Sequence, residues 1–208
     1  MPLEILVVDD GSTDQTAALA ASYDSVKLIR REQQGGAGAA RVTGVRAARG
    51  EIVAFIDSDC AAPDDWLLRL TQEFESDSEL GAVGGAYRHC DANNLVSMFG
   101  KFEEEYLHRY FANEPYESPL TGGNLAVRKN VWNNARSGRE LIHFQNVASS
   151  EDTVVSNEIR SVSKTKFEHE IYVRHSPKSS FRGMVRRNGI TRFCWRHGGS
   201  YYSGRCGS

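Results

Sequence analysis

Asp57 and Asp59 stand one residue apart, directly after an unbroken apolar run, Ile52 to Ile56, in the stretch EIVAFIDSDC. Five apolar residues without polar alternation are the pattern of a central parallel strand covered on both faces. Open α/β sheets bind their ligands at the carboxyl ends of such strands. Two carboxylates placed there repel each other unless a cation or hydrogen-bond donors relieve them. A divalent metal carrying a phosphorylated ligand accounts for both charges at once. An acidic first turn for the following helix explains Asp64 and Asp65. It leaves Asp57, which still belongs to the strand end, unexplained.

Other residues have comparable chemistry. Asp9-Asp10 follows a second buried-strand pattern, Leu3 to Val8, apolar apart from Glu4. Glu151-Asp152 follows Ser149-Ser150 at a predicted helix start, where capping alone would account for both acids. Gly122-Gly123-Asn124 reads as a turn leading into a strand, of a kind that lets backbone approach a neighbour closely. His175 closes the strand-like run Phe167–His175, and a lone histidine is either structural or a metal ligand. Arg41 falls in a predicted helix, where a solvated surface role is the ordinary alternative to a site role.

The elements that must position these residues alternate. Leu3–Val8 is a strand, and Ser12 with Gln15 three residues on makes a capping box for a helix from Thr13 to Tyr23. Val26–Arg30 is a short strand, a glycine turn follows, and a helix from Ala39 to Arg49 is closed by Gly50. Strand Glu51–Ile56 comes next, and this alternation builds a parallel sheet with right-handed crossovers. Trp66, Leu67, Leu70 and Phe74 recur at helical spacing, with Gly81 ending that helix and Ala82–Tyr87 extended after it. Leu95, Phe99, Phe102, Tyr106 and Tyr110 mark a long helix whose aromatic stripe reads as core. Leu120–Arg128 is a turn and strand, and a helix from Ser149 runs to Arg160.

Composition narrows the class. A chain of 208 residues, 40% hydrophobic and 25% charged, is an ordinary globular protein able to bury a core. No apolar run approaches the ~20 residues of a membrane span. Cys60, Cys90, Cys194 and Cys206 lack C-x-x-C spacing, which argues against a zinc site or disulfide framework and fits a reducing, cytoplasmic compartment. The net charge of −2 conceals an asymmetry, because residues 171–208 hold eight Lys and Arg and no acid, leaving −10 for residues 1–170. Arg182, Arg186 and Arg187 alternate with Phe181, Met184 and Val185, a pattern suited to peripheral contact with an anionic membrane surface. Net acidity and the lack of nucleic-acid motifs argue against nucleic acid as a partner.

Taken together, VVDDGSTDQT, FIDSD, TGGNLAVRK, SSEDTVVSNEI and VRHS, in that order, resemble the family 2 glycosyltransferases of the GT-A fold. The resemblance covers almost the whole chain. It implies an α/β, Rossmann-like α/β/α sandwich with a mostly parallel central sheet. It implies one domain over 1–208, with a nucleotide-sugar half (1–90), an acceptor and catalytic half (91–175) and a basic tail (176–208). Transfer of a sugar from a nucleotide diphosphate sugar to a hydroxyl of a glycan or lipid-linked acceptor, with inversion and Mg2+ or Mn2+, is the implied activity. Asp10 would meet the nucleotide base with Asp9 beside it, and Arg41 would face the nucleotide. Asp59 would ligate the metal, completed by His175, and Asp57 would contact the ribose or the metal's water shell. Gly122, Gly123 and Asn124 would adjoin the donor sugar and acceptor. Asp152 would be the general base and Glu151 would shape the acceptor pocket.

The family pattern also places a strand and helix ahead of VVDDGSTD, so the sequence reads as truncated at its start. One rival comes from signalling: ILVVDD, with Asp57 at a later strand end and Pro63 behind it, resembles a response-regulator receiver phosphorylated on Asp57. That reading leaves Glu151-Asp152 and His175 without a purpose. A folded, inactive remnant that binds a partner is the third.

Overall fold

Strands and helices alternate over the first part of the chain, as the apolar runs require. The computed structural model describes residues 4–89, 98, 102, 120–135 and 151–175. β1 (Ile5–Asp9), α1 (Thr16–Ala21), β2 (Val26–Arg30), α2 (Gly36–Ala47) and β3 (Ile52–Ile56) come first. β4 (Cys60–Ala61), α3 (Trp66–Ser76) and β5 (Leu80–His89) follow. β6 (Asn124–Arg128), α4 (Lys129–Asn134), α5 (Glu151–Val162) and β7 (Lys164–His175) come last.

β1 and β2 form a parallel pair, in register from Ile5 opposite Val26 to Asp9 opposite Arg30. The other strands make a five-stranded sheet in the order β3-β6-β5-β7-β4. β6 is antiparallel to both β3 and β5, and β5 is parallel to β7, so β3, β5 and β7 all point one way. β4 runs against β7. The sheet expected to be mostly parallel is therefore mixed. β6 begins opposite Ile56, at the carboxyl end of β3, and runs back along it to Ile52.

Because side chains alternate across a strand, each face of this sheet acquires its own core. Val42 and Val45 of α2, Trp132 of α4, and Val155 and Ile159 of α5 pack with Ala82, Leu125 and Val127. Trp66, Leu70 and Phe74 of α3 pack with Val83, Ala126, Ile171 and Val173 in the second cluster. Helices on both faces give the α/β/α layering. Truncating a fully buried residue such as Ile159 to Ala costs about 2–5 kcal/mol in cores of this kind.

Several local expectations are corrected. β3 is not central: among the described strands it ends the sheet order, and Ile56 is 41% exposed. An apolar run records covered faces, not paired edges. The Ser12–Gln15 capping box does not form. Gln15 is the N-cap of α1 without a side-chain cap, and the Ser12 N–H is already given to Asp9. α2 leaves through an extended Ala48 and not a left-handed Gly50. α3 stops at Ser76, and Gly81 lies inside β5 against Ser163. Most of the aromatic stripe from Leu95 to Tyr110 and the whole tail 176–208 lie outside the described residues. Phe102, which is described, is helical and exposed.

Candidate active site

Four segments meet at the carboxyl end of β3. Asp57 leaves the strand and a tight turn closes behind it, with the Cys60 N–H donating to the Asp57 carbonyl at 3.0 Å. Since Ile56 is opposite Asn124, the Gly122-Gly123 turn arrives beside Asp57. A Cβ on Gly123 would overlap the Asp57 carboxylate and the Tyr87 hydroxyl, and one on Gly122 would overlap the Arg41 guanidinium. Only glycine lets the chain pass so close. The Leu120 N–H donates to Ser156 Oγ at 3.1 Å, tying this turn to α5, whose first turn carries Asp152.

Arg41 enters from α2 and joins the two acids. Its Nη1 donates to Asp152 Oδ1 at 3.0 Å and its Nη2 to Asp57 Oδ1 at 3.2 Å. The guanidinium side chain is 13% exposed, whereas the Asp57 and Asp152 side chains are 43% and 40% exposed. A shielded cation therefore holds two acids that still reach solvent.

The second feature is a cluster of mixed donors. β4 pairs with β7 so that Cys60 is opposite His175, and opposed residues of an antiparallel ladder present side chains on the same face. His175 Nε2 lies 3.4 Å from Asp59 Oδ2, and Cys60 Sγ lies 3.8 Å from Asp59 Oδ1. One donor atom from each of Asp59, Cys60 and His175 falls within 4.8 Å of the others. The Tyr87 ring meets the His175 ring edge-on at 5.4 Å between centroids. Burial, with the Asp59 and Asp57 carboxylates adding to it, pushes the Cys60 thiol up to about 12. Burial first, and the Asp57 charge second, raises the Tyr87 phenol above its ordinary value. An oxygen and a nitrogen donor at this spacing fit a divalent cation such as Mg2+ or Mn2+.

Asp9 and Asp10 form a different arrangement at the end of β1. Asp9 is buried, accepting from the Ser12 N–H at 2.9 Å and from Arg30 Nε at 3.2 Å. The Arg30 contact follows from register, because Arg30 is the partner of Asp9 in the ladder. Hydrogen bonds from Ser12 hold the Asp9 carboxyl below its usual range. Asp10 accepts from the Gly35 N–H at 3.0 Å and the Gly36 N–H at 2.7 Å, and pairs with Arg31 at 3.2 Å. Gly36 has φ +78°, a backbone that glycine alone adopts without strain. Asp10 thus anchors the start of α2, the helix that carries Arg41.

Asn124 faces inward. It is 0% exposed, accepts from Trp66 Nε1 at 2.9 Å, and donates to the carbonyls of Ala86 at 2.8 Å and Ile171 at 3.2 Å. Its side-chain amide ties α3 to β5 and β7. Glu151 opens α5, with its side chain outside the described residues. Sequence reasoning brought Arg41, Asp57, Asp59, Gly122, Gly123, Asp152 and His175 to this end of the sheet. It missed Tyr87 and Cys60. The position of Cys60 directly after Asp59 was the one available signal.

Comparison with known proteins decides the family. A model described as Glycosyl transferase family 2 matches residues 1–132. The chain belongs to that family. It is 41% identical over 133 residues to the glycosyltransferase AglE of Haloferax volcanii, covering 62% of this chain and 41% of AglE. It is 37% identical over 117 residues to the beta-monoglucosyldiacylglycerol synthase of Nostoc sp., covering 53% of this chain and 25% of that relative. The chain therefore spans less than half the length of these curated relatives. Among solved structures it is similar to the mannosyltransferase PcManGT of Pyrobaculum calidifontis, in complex with GDP-Man and Mn2+. That likeness has a TM-score of 0.62 at 18% identity and covers 95% of this chain and 56% of the other. The glucosyl-3-phosphoglycerate synthase of Mycobacterium tuberculosis, with Mn2+ and UDP-glucose, gives a TM-score of 0.55 at 19% identity, covering 91% and 64%. At these identities the likeness concerns the fold, and it is the expected GT-A-like α/β/α fold. The receiver alternative falls with this result. Receivers share the parallel doubly wound sheet of flavodoxin, whereas the strand ending at Asp57 pairs antiparallel with β6.

Proposed function

We propose that this chain is the donor-binding and catalytic part of a glycosyltransferase, moving a sugar from a nucleotide diphosphate sugar to an acceptor hydroxyl with inversion. The observation that carries the reading is the Arg41 bridge between Asp57 and Asp152. It draws the acid of the FIDSD segment and the acid of the SSED segment to one point beside a glycine turn. In this reading Asp152 takes the proton of the acceptor hydroxyl as that oxygen attacks the anomeric carbon and the bond to the diphosphate breaks. Arg41 keeps Asp152 aimed and puts positive charge near the leaving group. Asp57 borders the ribose, the Gly122-Gly123 backbone faces the sugar, and Glu151 shapes the acceptor side. Asp9 and Asp10 belong to the base side, where Asp10 acts by fixing α2.

Asp59 and His175 would hold Mg2+ or Mn2+, which neutralises charge building on the departing diphosphate. The described residues contain no helix long and apolar enough to cross a membrane. The name of the Nostoc relative and the basic residues of 176–208 support a glycan or lipid-linked acceptor reached from the cytoplasmic face of a membrane. The test is a thermal-shift and calorimetric screen of nucleotide diphosphate sugars with and without Mn2+, followed by an assay of donor consumption. Mn2+-dependent stabilisation by at least one donor is expected. No response to any donor in the presence of Mn2+ would remove the reading.

A further inference from the structure

The cation site contains one donor that a carrier of Mg2+ or Mn2+ does not need. Cys60 is directly opposite His175 in the β4–β7 ladder, so its side chain shares a face with the imidazole. Two ligands about 2.0–2.1 Å from a tetrahedral zinc ion are roughly 3.3 Å apart, and a sulfur at about 2.3 Å stands roughly 3.5 Å from an oxygen ligand. The observed His175 Nε2 to Asp59 Oδ2 separation is 3.4 Å and the Cys60 Sγ to Asp59 Oδ1 separation is 3.8 Å. All three donors lie within 4.8 Å of one another. One carboxylate, one imidazole and one sulfur, half shielded from water, make a three-ligand set. That is the chemistry of a borderline-soft cation.

We infer that Asp59, Cys60 and His175 together form a site for a thiophilic divalent cation, Zn2+ foremost, that overlaps the site read above for Mg2+ or Mn2+. Binding exchanges the thiol proton for the metal and releases that proton to solvent. Nitrogen and sulfur donors already favour Zn2+ over Mn2+ in the general order of divalent affinities, and the sulfur widens the gap. Zn2+ held there occupies the ligands needed by the harder ion, which makes this site an inhibitory one. The inference rests on the reading of Asp59 and His175 as cation ligands. The alternative for Cys60 is apolar packing against the α3 core, which its partial burial also permits.

The experiment uses the full chain with Cys90, Cys194 and Cys206 changed to Ser, leaving Cys60 as the single thiol. Titration with Cd2+, read by thiolate-to-metal charge-transfer absorption in the ultraviolet, should give a band saturating at one ion per chain. Cys60→Ser or Cys60→Ala on that background should abolish it. In parallel, calorimetry of Zn2+ and Mn2+ should show Zn2+ affinity falling by tenfold or more in the Cys60 variants, since losing even an outer partner of a ligand costs about 10–100-fold. Mn2+ affinity should fall far less. No band in the single-thiol protein, or equal losses for Zn2+ and Mn2+, overturns the inference. Absence of Mn2+ binding in the parent chain would strike the underlying cation reading instead, so the two failures are distinguishable.

Discussion

Two strands of this protein end in paired acids, and the pairs have opposite surroundings. At the end of β1, Asp9 and Asp10 are closed off. Backbone N–H groups of Ser12, Gly35 and Gly36 and the side chains of Arg30 and Arg31 occupy their oxygens. At the end of β3, Asp57 and Asp59 are open, and among the described residues their carboxylates meet the side chains of Arg41, His175 and Cys60. A backbone donor is fixed by the fold and cannot be withdrawn without unfolding something. A side-chain donor can turn to a ligand at the cost of a rotamer. The same residue type therefore stabilises at one strand end and stays available at the other.

The contrast is sharpest where catalysis is concerned. Asp152→Asn keeps the Arg41 contact in shape but cannot take a proton, so sugar transfer should fall by about 10²–10⁴ with donor affinity retained. Turnover equal to the parent in a donor-consumption assay would make Asp152 a helix-start residue only. Next in size, Asp59→Ala at the open end should remove the Mn2+-dependent part of nucleotide diphosphate binding while leaving the melting temperature nearly unchanged. Calorimetry with and without Mn2+ reads this directly, and unaltered Mn2+ dependence would break the comparison. At the closed end the pattern should invert. Asp10→Ala loses charge-assisted bonds to two backbone N–H groups, and about 1.5–3 kcal/mol of stability in denaturant titration. The smallest effect concerns pH. A carboxyl held below its ordinary value adds stability above about pH 4, and this is lost as pH falls through the lower folded value. Asp9→Asn should therefore destabilise at neutral pH and flatten the acid limb of the stability curve. An acid limb of unchanged slope would show that the Ser12 bonds contribute nothing.

What could be read from sequence divides along the same physical line. Val26–Arg30 and the strand ends at Asp9 and Asp57 were legible because apolar runs and the acids behind them are local. The start of α1 was misread because Ser12 could satisfy either a helix cap or Asp9, and only the fold decides between them. The antiparallel course of β6 was invisible, since its residues are buried on both faces whichever way the strand runs. β3's place at the end of the sheet order was hidden for a related reason, because covered faces leave no record of edges. Asn124 looked like a site residue from its motif, yet its amide is consumed by Trp66, Ala86 and Ile171. Cys60 and Tyr87 escaped because each reaches the site through strand pairing with β7, a segment far along the chain.

β4 consists of two residues, paired as Cys60 with His175 and Ala61 with Arg174. So short a ladder is among the first parts of a fold to open locally, well before the global transition. Each opening would carry Asp59 and Cys60 away from His175 while leaving the sheet intact. The affinity of any ion held between Asp59 and His175 would therefore include the free energy of keeping this short seam shut. A bound cation would stitch it, and the seam would open less often in proportion to its occupancy.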